Sequence, residues 1–238
     1  YPMLDNVKIT SEYGDSHGKM AAGFALLDCY SPLVDKCYFW GGAEYGLLYR
    51  SEIDSEDGIV SDCYFVGQDT GIRVRLSART DGWGEPAFHL TDSHIHYKVK
   101  GLALKGIRQG FVSGNLFYCF NRAASRWHAD PDSVSSYTSK DIECDAVNDF
   151  IVSHNQFAEP ASPKRVCIDI LPNSGNLLID GNIFNMDGTA IRNRSQVSSR
   201  RIGNVYTGSP DFTKSADGAN ALIRYVDPNG TLKTLDFE

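Results

Sequence analysis

The sequence predicts an all-β chain wound as a right-handed parallel β-helix of seven to eight rungs, and three observations carry that reading. A seven-residue phrase recurs: two aliphatics, Asp or Ser, a variable residue, then Cys, His or Asn, a variable residue and an aromatic. Its fifth slot holds Cys37, Cys63, His94, Asn115, Asn155, Asn182 and Asn204, at steps of 26, 31, 21, 40, 27 and 22 residues, the range of a solenoid repeat. A second phrase lies between the copies and alternates with period two, as strands do. No stretch shows the sustained i, i+3, i+4 apolar spacing of a helix, which sets this chain apart from a leucine-rich repeat with its helical return segment.

In chain order the elements are LVDKCYF (33–39), GLLYRSE (46–52), IVSDCYF (59–65), GIRVRLS (71–77), LTDSHIH (90–96) and GLALKG (101–106). They continue as FVSGNLF (111–117), DIECD (141–145), IVSHNQF (151–157), VCIDI (166–170), LIDGNIF (178–184), AIRNRS (190–195), the weaker RRIGNVY (200–206) and ALIRYV (221–226). One such unit cannot enclose a core, so the aliphatic pair and the aromatic must stack on their counterparts in neighbouring rungs. The fifth slot sits where the strand turns. An inward Asn there can satisfy the buried backbone amides of the next rung and build a ladder.

With 238 residues and 42% hydrophobic content, the chain can bury a long thin core, and residues 1–238 read as one elongated domain. The net charge of −7 argues against nucleic acid as a partner, for which a basic face is the usual footprint. No apolar run approaches the ~20 residues of a membrane helix. Most of the six cysteines fall in strand phrases, so buried free thiols are expected. The chain opens on Tyr1 and shows no signal peptide, which suggests a piece of a longer protein.

Aligning the second phrases on their inward aliphatics gives two outward columns. One holds Leu48, Arg73, Ala103, Glu143, Cys167 and Arg192; the other holds Arg50, Arg75, Lys105, Asp145, Asp169 and Arg194. Three carboxylates, Glu143, Asp145 and Asp169, are thereby flanked by cations. Carboxylates near one scissile bond can divide into a general acid and a base or nucleophile. In this alignment Asp145 and Asp169 lie about 5 Å apart, the retaining geometry, and Glu143 and Asp169 about 8 Å apart, the inverting one. The same pattern also describes a surface ion-pair ladder that avoids like-charge repulsion between rungs.

Two insertions leave the helix near this face, at residues 77–90 and 121–140. They bring Trp83 with Glu85, and Trp127 with His128, Asp130 and Asp132. A flat ring beside hydrogen-bonding carboxylates suits a sugar, and loops on a rigid scaffold concentrate binding groups. Either ring could instead fold back on the helix wall, and Asp130-Pro131-Asp132 is also plain turn chemistry. His94, His96 and His154 lie inside the phrase and read as structural. His128 is the histidine to test as an acid or base. No metal-ligand spacing, phosphate loop or nucleophile elbow is present, so neither a metal nor a cofactor is called for.

SGNLF, SHNQF and DGNIF resemble the stacked-Asn rungs of the pectate-lyase-like β-helix superfamily, over about Phe24 to Tyr225. The polygalacturonase signatures of that superfamily are missing, and the cluster of Glu143, Asp145 and Asp169 beside Arg192 and Arg194 is only loosely similar to a pectate-lyase calcium site. The chain looks most like the bacteriophage tailspike group. That resemblance implies a homotrimer, covering outward apolar groups such as Leu48 and Leu116, on a virion tail or otherwise extracellular. It also implies binding and cleavage of a bacterial surface polysaccharide. The leading expectation is a glycoside hydrolase with Glu143, Asp145 and Asp169 as acid and base or nucleophile. Arg73, Arg75, Lys105, Arg192 and Arg194 would hold an acidic saccharide. The alternatives are a non-catalytic glycan-binding fibre or adhesin, and a polysaccharide lyase with His128 or Lys105 as base.

Overall fold

A computed structural model describes residues 2–10, 20–52, 57–77, 86–119, 139–158, 165–185, 188–197, 199–207, 222–226 and 232–236. Parallel strands from successive rungs pair side by side on three faces. The first face is an eight-stranded sheet in the order Met3–Asp5, Leu33–Asp35, Gly58–Ser61, Ala87–Thr91, Gln109–Ser113, Asn148–Ser153, Gly175–Asp180 and Arg200–Ile202. Eight passes agree with the expected number of rungs. The second face carries the aromatic end of the phrase. It runs from Lys8–Thr10 and Tyr38–Trp40 through the starts of Tyr64–Leu76 and His94–Lys105 to Leu116–Cys119, Gln156–Ala158, Ile183–Asn185 and Val205–Thr207.

The third face is the second phrase: Met20–Leu27, Ala43–Ser51, the ends of Tyr64–Leu76 and His94–Lys105, Lys140–Asp145, Val166–Ile170 and Thr189–Asn193. Because Tyr64–Leu76 and His94–Lys105 pass unbroken round the corner, the second and third faces join into one fifteen-stranded sheet. Leu222–Val226 continues the stack in parallel, and Leu232–Asp236 returns antiparallel to it.

Inward side chains stack like on like, because adjacent strands repeat at ~4.8 Å. Phe39 lies over Phe65 with centroids 4.6 Å apart, and Phe117, Phe157, Phe184 and Tyr206 follow at 5.4, 4.8 and 5.0 Å. Each is buried, and burying a ring of this size contributes roughly 1.5–3 kcal/mol. At the corner beside this stack the chain comes too close for a side chain. A Cβ on Gly71 would lie 2.6 Å from Ile95 Cγ2 and 2.8 Å from the Gly101 carbonyl.

The ladder is continuous, and it corrects the alignment at one rung. The Cys37 amide donates to Cys63 Sγ at 3.4 Å, and the Cys63 amide donates to Ser93 Oγ at 3.0 Å. The Ser93 amide donates to Asn115 Oδ1 at 2.9 Å; Asn115, Asn155 and Asn182 each donate to the next Asn at 3.0 Å. Ser93, not His94, fills the slot. Ile95, not His96, sits between Phe65 and Phe117. The true copy is HLTDSHI, one residue earlier, and a shift of one turns every side chain to the other side. The residue before each slot is left-handed: Lys36, Asp62, Asp92, Gly114, His154, Gly181 and Gly203 all have positive φ. Asp92 therefore marks the register, since Asp and Gly enter that region at least cost.

Below the third-face corner, where earlier rungs have glycine, Asp141 points inward. It accepts from Arg165 Nε at 2.9 Å and Nη2 at 2.7 Å, and from the Tyr97 hydroxyl at 2.5 Å. Arg165 and Asp141 are 0% exposed. Cys167 also lies inside this core rather than in an outward column, and burial pushes its thiol up. All six cysteines are free and five are buried, as expected. Burial pushes the Cys63 thiol up to about 12, so it serves the ladder as a weak acceptor rather than a thiolate.

Candidate functional site

The three acids of the third face come together in a register different from the expected one. Glu143 pairs directly with Asp169, and Asp169 with Arg192; Asp145 pairs with Lys105 and lies diagonal to Asp169. The assignment of Asp145 and Asp169 to one column therefore fails. VCIDI is read two residues out, because its two inward aliphatics, Ile168 and Ile170, stack on Ile142 and Cys144.

Every one of these carboxylates is engaged by cations. Asp169 accepts from Arg192 at 2.9 and 2.7 Å, from Arg194 at 2.8 Å and from Lys140 at 2.9 Å, and it is 0% exposed. Glu143 accepts from Lys100 at 2.6 Å and from Lys140. Lys105 meets Asp145 at 2.8 Å. Lys140 bridges two rungs, so charges alternate from Lys100 to Arg194.

Burial raises the pKa of Glu143 and of Asp169, but hydrogen bonds outweigh it. They come from Lys100 and Lys140 to Glu143 and from Arg192 and Lys140 to Asp169, and both carboxyls fall below their ordinary values. Both groups favour the carboxylate form, the form of a base and not of a general acid. A depressed carboxyl contributes stability above its unfolded pKa, ~4, and loses it as pH falls through the folded value. The urea midpoint should hold from about pH 7 to 5 and decline below about pH 4. In a Glu143→Gln, Asp169→Asn variant that decline should be shallower. An unchanged slope would show that these two carboxyls do not carry the acid sensitivity.

The second face presents a different feature, a strip of outward rings. Trp40 stacks with Tyr38 at 6.1 Å, Tyr38 meets Tyr64 at 5.9 Å, and Tyr64 meets His94 at 4.6 Å. His94 stacks with His96 at 6.2 Å, and His96 meets Tyr118 at 5.2 Å. The rings cross four neighbouring strands, three steps of ~4.8 Å, or about 14 Å in all. Tyr64 is 44% exposed. Lys8 Nζ lies 5.7 Å from the Tyr38 centroid at one end. A shallow groove lined by His94, Leu116, His154, Gln156 and Ile183 adjoins the strip. Burial, with His94 adding to it, lowers the His96 pKa to about 4, so that ring is neutral at physiological pH.

The strip went unread because the slipped copy placed His94 in the inward ladder and His96 in the core stack. The usable signal was Asp92, which repeats Asp62 at the left-handed turn. Of the expected binding residues, Arg73, Arg75, Lys105, Arg192 and Arg194 stand on the third face. Trp83, Glu85, Trp127, His128, Asp130 and Asp132 lie outside the described residues. Among the described residues no group of three or more His, Cys, Asp or Glu side chains is placed to hold a metal ion.

No known protein family matches the chain, and no curated protein does. Among solved structures, the chain is similar to a mutant tailspike protein of Escherichia coli bacteriophage HK620, determined in complex with a pentasaccharide. The identity is 13% and the TM-score 0.48, over 91% of this chain and 43% of the tailspike. The chain thus spans less than half the length of that protein.

Proposed function

We propose that this chain binds a polysaccharide along the ring strip of the second face. The observation that carries this reading is the run of six outward rings from Trp40 to Tyr118. Flat rings offer an apolar platform to the CH face of a sugar, and hydrogen-bonding groups such as His154 and Gln156 line the groove beside it. The repeat of the platform matches a repeating polymer better than a single small ligand. Binding is the part of the reading that the rings support; Glu143 and Asp169 favour the carboxylate form, which suits them to accept a proton rather than to donate one.

Assembly belongs to the same proposal. Met3, Leu33, Ile59, His89, Phe111, Ile151 and Leu178 share one outward column of the first face, apolar except at His89, and a second copy of the chain would cover it. Display on a virion tail or another extracellular surface would put the strip within reach of bacterial glycans.

The test is retention on immobilised bacterial surface polysaccharides. Tyr64→Ala should weaken retention at least about tenfold, ~1.4 kcal/mol, without changing the thermal midpoint. The bound chains should keep their length. Equal retention by the variant removes the ring strip from the reading. Release of new reducing ends by the unaltered protein, lost in Asp145→Asn and Asp169→Asn, would replace binding by hydrolysis.

A further inference from the structure

We propose that Arg75, with Arg73 and Lys105 beside it, forms a site for an oxyanion carried by the bound saccharide, a carboxylate or a sulfate. The saccharide part of this inference rests on the proposed function above; the anion site itself rests on the third face.

Arg50, Arg75 and Lys105 pair directly on three successive strands, so three cations share one outward column at steps of ~4.8 Å. Like charges directly opposite destabilise a sheet. The neighbouring rungs also set like charges opposite, Glu143 against Asp169, but Lys100, Lys140 and Arg192 neutralise that pair. Here the outer two cations are neutralised, Arg50 by Glu52 at 2.5 Å and Lys105 by Asp145 at 2.8 Å. Arg75, the exposed middle member, has no carboxylate within 4.0 Å among the described residues. The chain as a whole carries a net charge of −7.

The surroundings suit a ligand. Arg73, two residues earlier on the same strand, lies over the Tyr45 ring at 5.8 Å, a cation–π contact that adds a second positive charge beside Arg75. Ala103 pairs with Arg73, so no like charge stands opposite Arg73 on that strand. A guanidinium matches a two-oxygen anion in a forked geometry that an ammonium cannot reproduce. The site also shares its strands with the ring strip. Tyr64–Leu76 carries both Tyr64 and Arg75, and His94–Lys105 carries His94, His96 and Lys105.

Titration with four probes tests this: polygalacturonate for carboxylate, dextran sulfate for sulfate, neutral dextran, and inorganic sulfate. The polyanion that carries the correct group should bind at least about tenfold more tightly than dextran at low salt, with the advantage shrinking as salt rises. Arg75→Gln should remove most of that advantage, and Arg75→Lys should restore only part of it. Which polyanion responds identifies the group.

If Arg75→Gln binds both polyanions as well as the unaltered protein does, the anion site is overturned. If in addition dextran is retained and Tyr64→Ala releases it, saccharide binding stands without it. If inorganic sulfate shifts the Arg75 Nε–H resonance while no polysaccharide is retained, the anion site stands and the saccharide reading falls.

Discussion

Asn155→Ala is expected to lower the stability of the chain by about 3 kcal/mol, since it leaves several buried polar groups unpaired at once, each at roughly 1–3 kcal/mol. Asn155 Oδ1 accepts from the amide and from the side-chain nitrogen of Asn115, both at 3.0 Å. Its own side-chain nitrogen donates to the Val112 carbonyl at 2.9 Å and to Asn182 Oδ1 at 3.0 Å. Alanine keeps none of these bonds. The site is 1% exposed, so water cannot take over the Asn115 amide without opening the rung. Urea denaturation should show a lower midpoint at unchanged slope. A loss below about 1 kcal/mol would mean that the rungs are held by ring stacking and backbone pairing alone.

Arg165→Met is the second large effect. It leaves Asp141 charged, 0% exposed and short of its cation, with the Tyr97 hydroxyl and the weakly donating Cys167 thiol as neutral partners. Breaking a buried pair from one side typically costs about 3–5 kcal/mol, and Arg165→Met should fall in that range. Replacing both members by apolar residues removes the isolated charge, so Arg165→Met with Asp141→Leu should recover at least half of the loss. A double variant as unstable as Arg165→Met would show that packing volume, and not charge, governs this part of the core. Thermal and urea unfolding of the four proteins in the cycle measure the coupling directly.

The architecture was legible from the sequence because a stacked rung repeats its inward residues. The Phe and Asn slots of FVSGNLF, IVSHNQF and LIDGNIF stand in the ladder and the ring stack as expected. Register was less legible where a rung departs from the consensus. HLTDSHI offers Ser where its neighbours have Cys or Asn, and Ile where they have Phe, so the phrase found a false match one residue on. VCIDI failed for a related reason. All five of its residues are buried, and a strand without inside–outside contrast gives alternation nothing to fix it. The acids and cations of the third face were identified as a group, but their pairing needed the register. Asp141 and Arg165 gave no outward sign. A charged pair enclosed in the core looks like two solvent-facing charges until the strand is placed.

The three-sided cross-section has a consequence for how such a chain can change. Rings, aliphatics and ladder amides inside the coil hold it together, while the outward residues of each wall make few demands on the winding. One wall carries rings, another carries interleaved charges, and the remaining one carries a column that is apolar except at His89. The ring wall, the charged wall and the largely apolar wall can therefore diverge separately, each by exchange of surface side chains along its own edge of the prism.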